Sequence, residues 1–173
     1  MEIEFTLKYR LSANDANHDE LVERLYEAGC DDALVGLGVP GQLGLEFIRE
    51  ASSAEEAILS ALADVRRAIP DAQLIEVGPD LVGLTEVADL LEMSRQNMRK
   101  VMLKNPAEFP VPVHSGSSSI WHLALVLQFL QEREYLVSQP MVDVSRAAMR
   151  LNIEKEAALV SLRTRGAEHS MAA

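Results

Sequence analysis

The feature that most constrains the fold is a strict alternation at the start of the chain. The apolar residues Ile3, Phe5, Leu7, Tyr9 and Leu11 are separated by charged or polar residues. Successive side chains on a β-strand point to opposite faces. The pattern therefore predicts a strand with one face buried and the other exposed to water.

A helix and two strands are predicted next. Apolar residues recur at helical spacing over residues 21–26, and Gly29 follows them, which indicates a short helix that ends at the glycine. Apolar runs at residues 33–37 and 43–48 flank a Gly-Val-Pro-Gly sequence. Two such runs around a turn sequence predict a β-hairpin.

A second helix and a last strand complete this part of the chain. Ser53 precedes two glutamates and can cap a helix whose apolar face runs over residues 58–69. Residues 72–77 then predict a strand. The order strand, helix, strand, strand, helix, strand is that of a ferredoxin-like split βαβ domain. Because Gly78-Pro79-Asp80 is typical of a boundary between domains, we expect this domain to cover residues 1–78.

The net charge of −11 is unevenly distributed along the chain. Residues 1–83 hold six basic and 17 acidic residues, whereas residues 84–133 and 134–173 each hold five of either sign. Screening limits the reach of exposed charges to about 10 Å at ordinary salt. An acidic first domain therefore weakens nucleic-acid binding by a later segment without excluding it.

The composition indicates a globular protein. Apolar residues make up 48% of the chain, which is enough to bury a core. Charges interrupt every apolar stretch before it reaches the ~20 residues that a transmembrane helix needs. The alternating start is also unlike a secretion signal, so we expect a cytoplasmic protein.

The sequence offers no pattern for catalysis or metal binding. Cys30 is the only cysteine, and no second cysteine or clustered histidine accompanies it, so we expect a small buried residue there. The chain lacks Gly-x-Ser-x-Gly, His-Glu-x-x-His and a plausible carboxylate pair. We expect no enzymatic activity, no cofactor and no metal.

Residues 84–102 predict two short helices joined by a tight turn. Thr85 can cap the first helix and Ser94 the second. The small Ala88 lets the helices cross closely, and Met98 is expected at the centre of the buried side of the second helix.

The second of these helices is expected to present polar side chains to solvent. With Met98 directed inward, Gln96, Lys100 and Leu103 lie opposite, and Asn97 and Arg99 lie on the flanks. Amide and cationic side chains read base edges and contact phosphates. This face therefore indicates a nucleic-acid partner.

The stretch resembles the winged helix-turn-helix of the MerR/excisionase class and of phage AlpA-like regulators. The resemblance rests on Leu-Thr-Glu-Val-Ala-Asp-Leu-Leu at residues 84–91, Met-Ser-Arg-Gln at 93–96, Phe-Pro-Val-Pro at 109–112 and Ile-Trp at 120–121. It covers residues 83–133, and it implies a DNA-binding function.

The resemblance also implies a β-wing and a supporting helix. Residues 111–114 and 120–122 would pair as wing strands around the tip at residues 115–119, and residues 123–131 would form the helix. The turn usually holds a glycine where this chain has Glu92, and a left-handed backbone at a non-glycine residue costs about 1 kcal/mol.

We therefore expect a sequence-specific transcriptional regulator over residues 79–133, with the second helix in the major groove and the wing tip on phosphate or the adjacent minor groove. The base-reading side chains are expected to be Gln96, Asn97, Arg99 and Lys100. Contacts to the DNA backbone are expected from Arg95 and Lys104, and from Ser115, Ser117 and Ser118 on the wing. Because one small helix contacts few base pairs, double-stranded DNA is expected to bind a homodimer.

Residues 134–173 predict one or two amphipathic helices, for oligomerisation or for packing, followed by a flexible tail. Residues 144–159 can also be aligned with the first helix-turn-helix, which puts Asn152 in the turn. Glu154 and Glu156 would then face phosphates, which makes a second DNA-binding motif the weaker alternative.

Other interpretations stay open for the acidic domain and the wing. The acidic run at residues 15–32 is expected to be a solvated helix face. It is alternatively a docking surface, in which case the protein is an antitoxin-like or phage-associated adaptor that binds a protein partner. A third hypothesis is a ligand sensor. His114 and His122 can meet across the wing, but without a carboxylate or thiolate they make an incomplete metal site.

Overall fold

The chain is an α+β protein with two antiparallel sheets. A computed structural model describes the backbone of residues 1–171 and the side chains of residues 1–161. The flexible tail predicted at the C terminus lies outside the residues described in full. No helix in the described part is both long enough and apolar enough to cross a bilayer.

Four strands and two helices form the first half of the molecule. The strands are β1 (Glu2–Arg10), β2 (Ala33–Gly36), β3 (Gln42–Glu50) and β4 (Gln73–Gly78), and the helices are α1 (His18–Glu27) and α2 (Ala54–Ala68). All neighbouring strands are antiparallel, in the spatial order β2, β3, β1, β4. The predicted order of elements is confirmed, with bounds shifted by a few residues.

The predicted sequence patterns explain these elements. Ile3, Phe5, Leu7 and Tyr9 are all buried on one face of β1, as the alternation requires. The side chain of Ser53 accepts a hydrogen bond from the Glu56 backbone N–H at 3.2 Å and so caps α2. Periodicity and capping together determine where the elements begin.

Seven further elements follow, up to the long C-terminal helix. They are β5 (Leu81–Val82), α3 (Leu84–Leu90), α4 (Arg95–Lys104), β6 (His114–Ser115), β7 (Ser119–His122), α5 (Leu123–Gln131) and α6 (Gln139–Met171). The second sheet has the order β5, β7, β6. Its residues and the three shorter helices enclose a second hydrophobic cluster, which includes Val87, Met98 and Trp121.

The helix α6 packs against both hydrophobic clusters. Val144, Ala147 and Ala148 belong to the first cluster, and Val142 belongs to the second. The strand β4 pairs only with the half of β1 from Thr6 onward. The described part of α6 therefore packs on the rest of the chain and joins the two clusters.

The interpretation of residues 144–159 as a second helix-turn-helix is wrong. Asn152, which that alignment placed in a turn, lies inside the continuous helix α6. Its side chain is buried and accepts a hydrogen bond from the Val77 N–H at 2.9 Å. It also donates to the Val77 carbonyl and to the Asp80 carboxylate, each at 2.8 Å. This amide thus satisfies backbone groups at the free edge of β4.

The acidic run at residues 15–32 is only partly a solvated face. Asp15 is 5% exposed and bonds to Arg24 and Ser12, at 2.7 Å in both cases. Burial opposes ionisation of Asp15, but the hydrogen bonds from Arg24 and Ser12 outweigh it and lower the pKa of this carboxyl. Asp32 is likewise engaged, with Arg49. Two of the predicted surface acids therefore hold the fold together.

Arg49 is a buried cation on the core side of β3. Its Nε and Nη2 bond to the two oxygens of Asp32 at 2.7 and 2.9 Å. Its Nη1 bonds to Asp64 and Ser60 at 2.8 and 3.0 Å, and Nη2 also bonds to the Gly29 carbonyl at 2.8 Å. Every donor of the guanidinium is thus used. The hydrogen bonds to Asp32 and Asp64 raise the pKa of Arg49.

Cys30 is buried, as expected, with 3% of its surface exposed. Burial of the thiol and the nearby Asp64 carboxylate raise its pKa to about 11. Because the thiolate is the reactive form, this cysteine is held as an inert thiol at neutral pH.

The Arg49 ion pairs make a testable prediction. Arg49→Ala leaves Asp32 and Asp64 without their buried partner, so the free energy of unfolding should fall by about 3 kcal/mol or more. Lys8→Ala, which removes an exposed pair with Glu76, should cost less than about 1 kcal/mol. Urea unfolding followed by circular dichroism measures both. Equal losses in the two variants would contradict a stabilising role for the buried pairs.

Candidate nucleic-acid interface

The first helix of the candidate interface is capped differently from the prediction. Gly83, not Thr85, is the N-cap of α3, and Thr85 lies within the first turn of the helix. The Glu86 carboxylate accepts a hydrogen bond from the Gly83 N–H at 2.7 Å. A glutamate at this position satisfies one of the free N–H groups at the start of the helix.

The turn between α3 and α4 has a left-handed residue at Glu92, with φ of 52°. The Met93 N–H donates to the Ala88 carbonyl at 2.9 Å, and the Glu92 N–H donates to the Asp89 carbonyl at 3.1 Å. These two bonds form a Schellman motif, whose left-handed position usually holds glycine. The chain thus adopts a glycine-type turn with a glutamate in it.

The two helices pack through the residues that the sequence pattern selected. Val87, Ala88 and Met98 have no exposed surface, and Val101 is 6% exposed. The Ser94 hydroxyl caps α4 by accepting a hydrogen bond from the Asn97 N–H at 3.1 Å. The start and the inner face of α4 are therefore as predicted.

The outer face of α4 carries all six predicted contact residues of that helix. These exposed residues are Arg95, Gln96, Asn97, Arg99, Lys100 and Lys104. Among the described residues, none of the four cationic side chains forms an ion pair or hydrogen bond. No residue that the structure describes therefore neutralises the charge of this face through an ion pair.

The hairpin after α4 is shorter at its first strand than predicted. The strand β6 begins at His114 rather than Val111, although the Val113 N–H donates to the Ile120 carbonyl at 2.7 Å. Ser115 pairs with Ser119, so the turn comprises residues 116–118. The predicted contact residues Ser115, Ser117 and Ser118 are all exposed at this tip.

Aromatic packing attaches the hairpin to the second cluster. The Phe109 ring packs edge-on against Trp121 and Phe129, with centroid distances of 5.8 and 5.0 Å. The Trp121 indole N–H donates to the Pro110 carbonyl at 2.9 Å. The helix α5 has the predicted bounds, and its Leu123 and Leu127 are fully buried in the same cluster as these rings. A rigid base thus supports the hairpin.

The two wing histidines do not meet across the hairpin. His114 pairs with Ile120, whereas His122 pairs with Leu81 on β5. The His122 Nδ1 lies 2.7 Å from an oxygen of the buried Asp80 carboxylate. In the part of the chain that the structure describes, no group of three or more His, Cys, Asp or Glu residues is placed to hold a metal ion.

Residues 80–82, between the first sheet and α3, also support the hairpin, and no sequence pattern predicts this role. The strand β5 is two residues long, too short for a periodic signal, and it pairs with β7. The sequence pattern placed Asp80 only at a domain boundary. In the structure its carboxylate bonds to His122 and Asn152, and its backbone carbonyl accepts a hydrogen bond from the Leu123 N–H at 2.7 Å. No local signal marks this role, because the partners are distant in sequence.

Comparison of the chain with known protein families, with curated proteins and with solved structures finds no match.

The left-handed backbone at Glu92 gives a prediction about the stability of the protein. Glu92→Gly should leave the free energy of unfolding within about 1 kcal/mol of the parent, since glycine adopts this backbone freely. Glu92→Val should cost about 1–2 kcal/mol more than glycine, because a β-branched residue is strained there. Urea unfolding compares the two variants, and equal stability would show that the turn does not require the left-handed backbone.

Proposed function

We propose that this protein is a sequence-specific DNA-binding transcriptional regulator. In this proposal residues 79–133 form a winged helix-turn-helix, residues 1–78 form a ferredoxin-like domain, and the protein acts in the cytoplasm. The outer face of α4 carries the proposal, because it exposes amide and cationic side chains with no partner among the described residues. These groups suit base edges and phosphates.

The roles of the side chains follow from their positions on α4. Gln96 and Lys100 lie opposite the buried Met98, so they would reach deepest into the major groove, with Asn97 and Arg99 beside them. Arg95 and Lys104 at the two ends of the helix would hold the DNA backbone. The exposed serines of the hairpin tip would donate hydrogen bonds to phosphate or in the adjacent minor groove.

The substitution that tests this proposal is Arg99→Ala combined with Lys100→Ala. Affinity should fall at least about tenfold for a duplex selected from a random-sequence pool. The dependence of binding on salt should become shallower, because two fewer cations approach the phosphates that line the groove. Fluorescence anisotropy at several salt concentrations measures both quantities.

The matched control removes two cations from the acidic half. Lys8→Ala combined with Arg66→Ala makes the same change in net charge at exposed positions away from α4. This variant should bind the selected duplex within about twofold of the parent. The proposal fails if the two double variants bind alike, or if the pool yields no preferred sequence.

We also propose that the protein binds DNA as a homodimer through the groove between α5 and α6. The groove has a volume of about 520 Å³. Leu125, Met149 and Ile153 supply its apolar surface, and Leu125 and Ile153 are 38% and 48% exposed. An apolar strip of this kind on a helix pair suits a helix from a second copy.

Charge supports a two-fold symmetric pairing of this groove. Arg150 and Glu154 lie one turn apart on α6 and form an ion pair, and Arg150 also pairs with Glu55 of α2, so in a dimer these residues would exchange partners within the chain for partners on the other copy. In an antiparallel pairing of two α6 helices centred near Ile153, Arg150 of each copy would meet Glu154 of the other. The surface is thus complementary to itself, as a symmetric dimer requires.

Ile153→Glu is the test of the dimer. It places a carboxylate in the apolar strip, so the parent should sediment as a dimer at micromolar concentration and the variant as a monomer. Val22→Glu, at an exposed apolar site on α1, is the matched control and should remain dimeric. A monomeric parent, or a dimeric Ile153→Glu variant, would contradict this interface.

A further inference from the structure

A groove crosses the open face of the first sheet. Its volume is about 660 Å³. The floor includes Leu34 and Ile48, and the first turn of α6 forms one wall through Pro140 and Met141. The core side chains of β1 and β3 point to the opposite face, although Phe5, Phe47 and Val144 of the core cluster are also among the lining residues.

The floor exposes large apolar side chains where a solvated sheet face is normally polar. Leu34 is 69% exposed and Ile48 is 56% exposed. Leu34 pairs with Glu46 on β3, and Ile48 is the next β3 residue on that face, so the two side chains lie close together. An apolar patch inside a groove with a polar rim marks an interaction site.

Carboxylates surround this apolar floor. Glu4 pairs with Ile48, Glu2 pairs with Glu50, and Glu46 lies between Thr6 and Leu34. In the described part of the chain none of these four glutamates forms an ion pair, whereas Glu76, at the other end of the face, pairs with Lys8. Like charges placed opposite each other on a sheet repel. Cations from outside would relieve this repulsion.

We propose that this groove binds a basic amphipathic segment of a partner protein. The apolar side chains of the segment would rest on Leu34 and Ile48, and its lysines or arginines would meet the surrounding glutamates. Nucleic acid is disfavoured here, because its phosphates would face the carboxylates of Glu2, Glu4 and Glu46. The acidic run at residues 15–32 is a weaker candidate for this partner, since Asp15 and Asp32 already pair with arginines of the chain.

The probe for this proposal is a fluorescein-labelled helical peptide made of leucine and lysine, with the leucines on one face. A second peptide of the same composition has the leucines dispersed, and a third replaces lysine by glutamate. Binding to the full-length protein is followed by fluorescence anisotropy. The first peptide should bind at least about tenfold more tightly than either of the others.

Two double variants separate the apolar and the charged contributions of the groove. Leu34→Ser with Ile48→Ser removes the apolar floor, and Glu4→Gln with Glu46→Gln removes two carboxylates. Each should weaken binding of the first peptide at least about tenfold. All four positions lie on the solvent side of the sheet, so the variants should keep the unfolding midpoint of the parent.

Matched controls use α1, on the same acidic half of the chain. Val22→Ser with Tyr26→Ser and Glu23→Gln with Glu27→Gln make similar changes at exposed positions of that helix. These variants should change the affinity by less than about twofold. If control and groove variants lose affinity equally, or if the first peptide binds no better than the dispersed one, the proposal is overturned. The experiment contains no DNA, so it stands or fails separately from the proposed regulator function.

Discussion

The side-chain amide of Asn152 holds the two halves of the molecule in one arrangement. It bonds to both backbone groups of Val77 at the edge of β4 and to the Asp80 carboxylate, which also contacts His122 at the base of the hairpin. Buried polar groups without partners are costly. Separating the halves would deprive the Asn152 amide and the Asp80 carboxylate of these partners, so the junction stabilises the observed arrangement.

This arrangement leaves two oppositely charged surfaces exposed on one molecule. The outer face of α4 is cationic, and the open face of the first sheet is acidic around an apolar floor. Two of the acids that could have competed for the arginines of α4, Asp15 and Asp32, form ion pairs with Arg24 and Arg49. On these proposals, one chain would bind the polyanion DNA through α4 and a basic protein segment through the groove on the first sheet.

Local patterns in the sequence predicted most of the secondary structure and the inner face of α4. The alternation of β1, the caps at Ser53 and Ser94, and the spacing around Met98 all depend on neighbours within a few residues. The Thr85 cap was wrong because Gly83 and Glu86 satisfy the same helix end. The strand β5 and the burial of Arg49 were missed, since both depend on partners far along the chain.

The order of elements and the division into buried and polar faces were already contained in the residue pattern, because periodicity and caps act between near neighbours. The pattern could not determine that α6 is one helix shared by both clusters, or that Leu34 and Ile48 share an open groove. Such features arise when residues distant in the chain come into contact. Asn152 and Val77, 75 positions apart, interact only because the whole chain has folded.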